Sequence, residues 1–175
     1  MSEIKPAIYI VDDEPMQRDM LKDHLAKMSG YDVHSFNTGE ECIAAINVRK
    51  PGIVFLDYYL NSQVREASDG IDVLKTIKEI APETEVVMIS GQDKIEVAVN
   101  TMKYGAFDYI VKGEGAFYRA EKAVFNIYRF RRMSGSAARY KKMSIYLAIG
   151  FVLMILLVIY LQQKGYISAN PSFDN

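Results

Sequence analysis

Five short runs of apolar, often β-branched residues recur along the first two thirds of the chain: Ala7–Val11, Asp32–Phe36, Ile53–Leu56, Val86–Ser90 and Tyr109–Val111. Each is bounded by turn-forming residues and predicts a strand. Between them the apolar positions switch to helical spacing. Pro15 opens a segment with Met20, Leu21, Leu25 and Met28, and Gly30 closes it. Gly39 to Val48 is the second such segment, stopped by Pro51, and Gly70 to Ile80 the third, stopped by Pro82. Ile95 to Tyr104 is the fourth. The fifth, Ala116 to Arg132, carries Phe117, Ala120, Val124, Ile127 and Phe130 on one stripe. Strands alternating with helices in this way predict an α/β domain, a parallel sheet with helices on both faces.

The pattern then changes. From Ile145 to Leu161 the chain runs for 17 residues with no charge, amide side chain or proline. This predicts a transmembrane helix with Tyr146 and Tyr160 near its ends: about 25 Å of helix is near the lower limit for spanning a bilayer but sufficient, and Met143 and Ser144 can extend it. Arg129, Arg131, Arg132, Arg139, Lys141 and Lys142 precede the segment, and Lys164 alone follows closely. That bias predicts a single-pass inner-membrane protein with its front domain in the cytoplasm and its tail outside. The expected organisation is a domain over 1–132, a short basic linker over 133–144 around Ser134-Gly135-Ser136-Ala137-Ala138, a span over 145–161 and a polar tail over 162–175.

Composition narrows the chemistry. The formal net charge is −1, yet residues 134–175 hold four basic side chains against one acid, so the front of the chain is acidic. An acidic front without a helix-turn-helix, zinc or RNA-binding pattern argues against a nucleic-acid partner. The single Cys42 lies in an apolar helical pattern and reads as a reduced core thiol. The N-terminus lacks the apolar core and cleavage site of a secretory signal.

In a parallel α/β sheet, ligands collect at the carboxyl ends of the strands. Asp12 and Asp13 end the first predicted strand, Asp57 follows the third, Ser90 ends the fourth and Lys112 follows the fifth. Three clustered carboxylates repel one another, which raises their proton affinity and favours a hard divalent cation such as Mg2+. A carboxylate of this group is a candidate nucleophile toward phosphorus, with Lys112 and Ser90 available to phosphate oxygens.

The motifs IVDDE, FLDYYL, MISG and DYIVK give the chain a definite resemblance, over about residues 4–132, to the receiver domain of bacterial two-component response regulators. The resemblance implies a flavodoxin-like sheet of order 2-1-3-4-5. It implies that Asp12, Asp13, Asp57 and the backbone carbonyl of Tyr59 hold Mg2+, and that Asp57 is the phosphoacceptor. Ser90 and Lys112 would engage the phosphoryl group, and Tyr109 would be an aromatic switch moving with Ser90. Two departures stand out. Gln63 to Ser68 fall in a stretch longer than the family usually has, and Lys112-Gly113 stands where the family commonly has Lys-Pro with a cis bond.

The expected function is that of a stand-alone, phosphorylation-activated signalling module in a phosphorelay. Its donor would be a sensor histidine kinase or a histidine phosphotransfer protein, and its output would pass through an unknown protein partner at the membrane. The fourth and fifth units offer a face for dimerisation. Enzymatic activity is not expected beyond slow self-dephosphorylation. The alternatives are a phosphorylation-independent membrane adaptor and an aspartyl-phosphate-forming phosphatase; the latter lacks an acid/base carboxylate two residues past Asp57, where Tyr59 stands.

Overall fold

A computed structural model describes residues 5–60 and 69–164, with the backbone alone at 133–145 and 163. The expected Gln63–Ser68 insertion and most of the 162–175 tail lie outside the described residues. By compactness the chain divides into Met1–Ile127 and Tyr128–Asn175.

The first unit holds five strands, β1 (Ala7–Val11), β2 (Asp32–Phe36), β3 (Ile53–Asp57), β4 (Glu85–Ser90) and β5 (Asp108–Val111). They form one sheet of order β2-β1-β3-β4-β5, every pairing parallel, as a doubly wound α/β fold requires. The central strands β1 and β3 are buried throughout, which is why they read as continuous apolar runs, whereas the edge strand β2 is half-exposed.

Successive side chains point to opposite faces of the sheet. One face carries Tyr9, Val11, Val54, Leu56, Val86 and Met88, packed with Cys42 and Ile46 of α2 (Gly39–Val48) and Val73, Leu74 and Ile77 of α3 (Gly70–Ile80). Cys42 is thus a core residue, its thiol pushed up to about 12 by burial. The other face carries Ile8, Ile10, Ile53, Phe55, Val87 and Ile89. Buried Leu21 and Leu25 of α1 (Pro15–Ala26) and Ala120, Val124 and Ile127 of the fifth helix belong to that side.

Sequence-local signals fix the helix starts. Thr38 accepts from the Glu41 amide, satisfying a free donor at the start of α2, and the Glu41 carboxylate accepts from the Asn37 amide just ahead of the helix. Asp69 accepts from the Asp72 amide at the start of α3. The predicted boundaries differ in small ways. α1 stops at Ala26, and Gly30 serves a turn with φ of 112°. α4 covers Ile95–Lys103. Thr101 is its buried residue, while Ile95, Val99 and Met102 are exposed.

Two expectations about the back of the chain are corrected. α5 runs over Ala116–Gln163, continuing as helix through 133–144, where a linker was expected. Gly and Ser lower helix propensity by at most about 1 kcal/mol each, too little to break a helix by themselves. Phe130, placed on the apolar stripe, is exposed. Among the described residues no helix is long and apolar enough to cross a membrane. The transmembrane helix expected over 145–161 is therefore not upheld, and the inner-membrane placement, its orientation and the membrane partner fall with it. The apolar run, 17 residues rising about 25 Å, stands at the lower limit for a hydrocarbon core of about 30 Å.

Candidate functional site

The carboxyl edge of the sheet brings together residues far apart in sequence. β1 delivers Asp12 and Asp13 just past Val11, β3 ends on Asp57, and β4 ends on Ser90, aligned with Val111 one residue before Lys112. Register does the work: Val11 lies beside Leu56 and Asp57 beside Ile89, so the polar residues that follow the apolar runs arrive at one level. The Lys112 amide donates to the Ser90 carbonyl at 2.7 Å and closes the edge.

All three carboxylates are buried. Asp12, Asp13 and Asp57 each place a carboxylate oxygen within 4.8 Å of the others. Lys112 Nζ lies 2.9 Å from Asp12 Oδ2 and 2.9 Å from Asp57 Oδ2, so a single ammonium is shared by two acids. Asp12 Oδ1 accepts from the Glu14 amide at 2.9 Å. Asp57 Oδ1 is buried without a hydrogen-bond partner.

An orphaned anionic oxygen is costly in a low-dielectric setting, and the proton affinities respond. Burial pushes the Asp57 carboxyl up to about 6; the bond to Lys112 and its charge pull it down, and the charge on Asp12 pushes it up again. Burial alone would lower the Lys112 ammonium, but its bonds to Asp12 and Asp57 outweigh that and hold it above its ordinary value. The site is thus short of positive charge. Three oxygen ligands in reach of one point and a lone pair with no partner fit a hard divalent cation.

Ser90 is fully buried, its Oγ accepting from the Gln92 amide at 3.2 Å. The Tyr109 hydroxyl donates to the Gln92 carbonyl at 2.8 Å, so Gln92 joins the two residues expected to move together. Burial raises the Tyr109 phenol, and its bond with the Ser90 side chain works against that rise. Tyr59 is exposed on the loop after β3, its ring edge-on to Tyr58 at 4.8 Å between centroids. Lys112-Gly113 carries no cis bond, as no described peptide does, and Gly113 takes a φ of 138° that favours glycine.

Sequence reasoning missed three contributors. Gly70 packs so close to the backbone of Asp57 and Tyr58 that a Cβ would collide with both, and its amide donates to the Tyr58 carbonyl at 3.1 Å. Its only sequence signal is a glycine just inside a helix start. Gln92 carried no signal. Arg18 donates to the Asp12 carbonyl at 2.9 Å from the second turn of α1. A cavity of about 280 Å³ opens beside Asp12 and Lys112, walled further by Met16, Met20, Ile89 and Phe117.

The sequence profile of the response regulator receiver domain matches residues 8–117. Over 105 residues the chain is 39% identical to the nitrogen assimilation regulatory protein NtrX of Azorhizobium caulinodans, covering 60% of this chain and 22% of that protein. Over 106 residues it is 34% identical to the chemotaxis protein CheY of Thermotoga maritima, covering 60% of this chain and 83% of that protein. The crystal structure of the receiver domain of NtrX from Brucella abortus superposes with a TM-score of 0.58 at 38% identity, covering 66% of this chain and 96% of that one. The chain spans about a fifth of the length of the NtrX and AtoC relatives it matches.

Proposed function

Because the chain belongs to the response regulator receiver domain family, we propose that Asp57 is its phosphoacceptor, taking the phosphoryl group from a phosphohistidine of a sensor kinase or a histidine phosphotransfer protein. The observation that carries this reading is the pairing at Asp57: Oδ2 is bound to Lys112, while buried Oδ1 has no partner. In the step itself an Asp57 oxygen forms a bond to phosphorus as the P–N bond to the donor imidazole breaks, and the imidazole leaves with that electron pair. The cavity beside Asp12 and Lys112 leaves room for the donor's side chain.

Asp12, Asp13 and Asp57 would hold magnesium, with the Tyr59 carbonyl as a further ligand, and the cation would offset charge on the phosphoryl oxygens. Lys112 already lies where it would pair with a phosphoryl oxygen on Asp57. Ser90 would give up its bond from Gln92 to donate to the phosphoryl group, and Tyr109, tied to the same Gln92, would follow. Two packings of β4, α4 and β5 would then differ in what they present to a protein partner or a second copy, with Ile95, Val99 and Met102 of α4 exposed for such contacts. The domain works as a switch, with turnover limited to slow loss of its own phosphoryl group.

The test is intact mass after incubation of the full chain with magnesium and acetyl phosphate. Wild type is expected to gain one phosphoryl adduct and Asp57→Asn none. An equal adduct on the variant would move the acceptor elsewhere, and no adduct on either would favour a phosphorylation-independent adaptor.

A further inference from the structure

We propose that Arg18 is a positioning residue for the cation site, holding the peptide that joins Asp12 to Asp13 so that the two carboxylates are presented together; this rests on the metal-dependent reading above. Arg18 is an arginine on a surface helix, yet its side chain is only 16% exposed. Its Nη1 donates to the Asp12 carbonyl at 2.9 Å and to Asn37 Oδ1 at 2.8 Å. The first acceptor belongs to the Asp12–Asp13 peptide, whose plane sets the directions in which both side chains leave the backbone. The rest of that turn is already pinned, since the Asp12 amide donates to the Phe36 carbonyl at 3.3 Å and Asp12 Oδ1 takes the Glu14 amide. Asn37 in turn is held by Glu41, which accepts its amide at 2.9 Å from the first turn of α2. A chain of bonds therefore runs from the start of α2 through Asn37 and Arg18 to the two acids.

Outer partners of this kind orient ligands, and their loss commonly weakens metal binding about 10-fold or more. The sign separates this role from simple electrostatics. A guanidinium beside a cation site repels the cation, so charge alone predicts that removing Arg18 tightens magnesium binding. Positioning predicts the reverse. Lysine keeps the charge but ends in a compact ammonium on a differently shaped side chain, so it does not place a donor where the planar guanidinium's Nη1 meets both acceptors.

The experiment is magnesium titration of the full chain by calorimetry, with a melting curve for each variant. Arg18→Met and Arg18→Lys are each expected to bind magnesium about 10-fold more weakly, and Asn37→Ala to shift affinity the same way by about 3-fold. Tighter or unchanged binding in both arginine variants overturns the proposal, as does a lowered melting temperature with wild-type affinity, which makes Arg18 structural. Should the arginine variants not fold, Asn37→Ala decides, and wild-type affinity there overturns it. If wild type itself binds no magnesium and takes no adduct, the functional reading fails first and this inference with it.

Discussion

The two ends of the sheet handle charge in opposite ways. At the amino edge every prominent polar group has an answer: Thr84 donates to the Pro51 carbonyl at 2.9 Å, and Lys78 serves both the Thr84 carbonyl and Glu85. Arg49 joins Asp32 to the Lys5 carbonyl there. At the carboxyl edge three acids are buried together, two of them, Asp12 and Asp57, share one ammonium, and Asp57 Oδ1 has no partner. The contrast is sharpest between two aspartates. Asp32 sits below the usual carboxylate range because of its bonds to Arg49 and then His34, whereas burial drives Asp57 up to about 6. One edge is settled for folding. The other is left in want of a cation and a phosphoryl group, as a binding site must be.

Removing the shared ammonium should unbalance the carboxyl edge most. Lys112→Met leaves Asp12 and Asp57 buried without their counter-charge, and breaking a buried pair from one side costs about 4 kcal/mol. Urea denaturation at pH 7 checks the value. The loss should shrink at pH 5, where Asp57, pushed up to about 6 by burial, takes a proton, and in excess magnesium; a variant as stable as wild type would show that the cluster is balanced by other means.

Next in size is the pH dependence of Asp57. Unfolded, it releases its proton near pH 4; folded, it keeps it to about pH 6. Between those values the folded state binds the extra proton, so the stability this group contributes at low pH is lost as pH rises through that window, by about 2–3 kcal/mol. Asp57→Asn abolishes the dependence. Its stability relative to wild type should climb from pH 4 to pH 6 and then level off, leaving the variant the more stable at pH 7. Parallel curves for the two proteins would mean that Asp57 does not ionise in that window.

Much of this was legible in the chain because it depends on periodicity. Apolar runs at Ala7–Val11 and Ile53–Leu56 are strands buried on both faces, and in a parallel sheet the polar residue that ends such a run must arrive at the ligand-binding edge. Asp12, Asp13, Asp57, Ser90 and Lys112 were therefore visible by position alone. Arg18 was not, since the acceptor that singles it out from other surface arginines is a carbonyl brought near by the turn after β1, together with Asn37 on another loop. Nor was the course of α5, where local glycine and serine signals lost to helix continuation. The apolar run at 145–161 showed the limit of composition: hydrophobicity suggests a span, but among the described residues no helix is both long and apolar enough to be one.

The smallest effect gives the cleanest contrast, because it is the same substitution at the other end of the sheet. Asp32→Asn removes a carboxylate that Arg49 and His34 stabilise in its charged form, so its contribution is present above the unfolded value near pH 4 and lost as pH falls through the lower folded value. The side chain is 40% exposed, and solvent screening holds the cost at pH 7 to less than about 1 kcal/mol. The sign is what matters. At pH 7 Asp32→Asn should destabilise, and most of that loss should vanish in 1 M salt, where exposed pairs are screened within about 3 Å. Asp57→Asn should stabilise at the same pH and be nearly indifferent to salt, its charge being buried. Chemical denaturation of both variants at low and high salt measures the pair, and two changes of the same sign would erase the distinction between a folding edge and a binding edge.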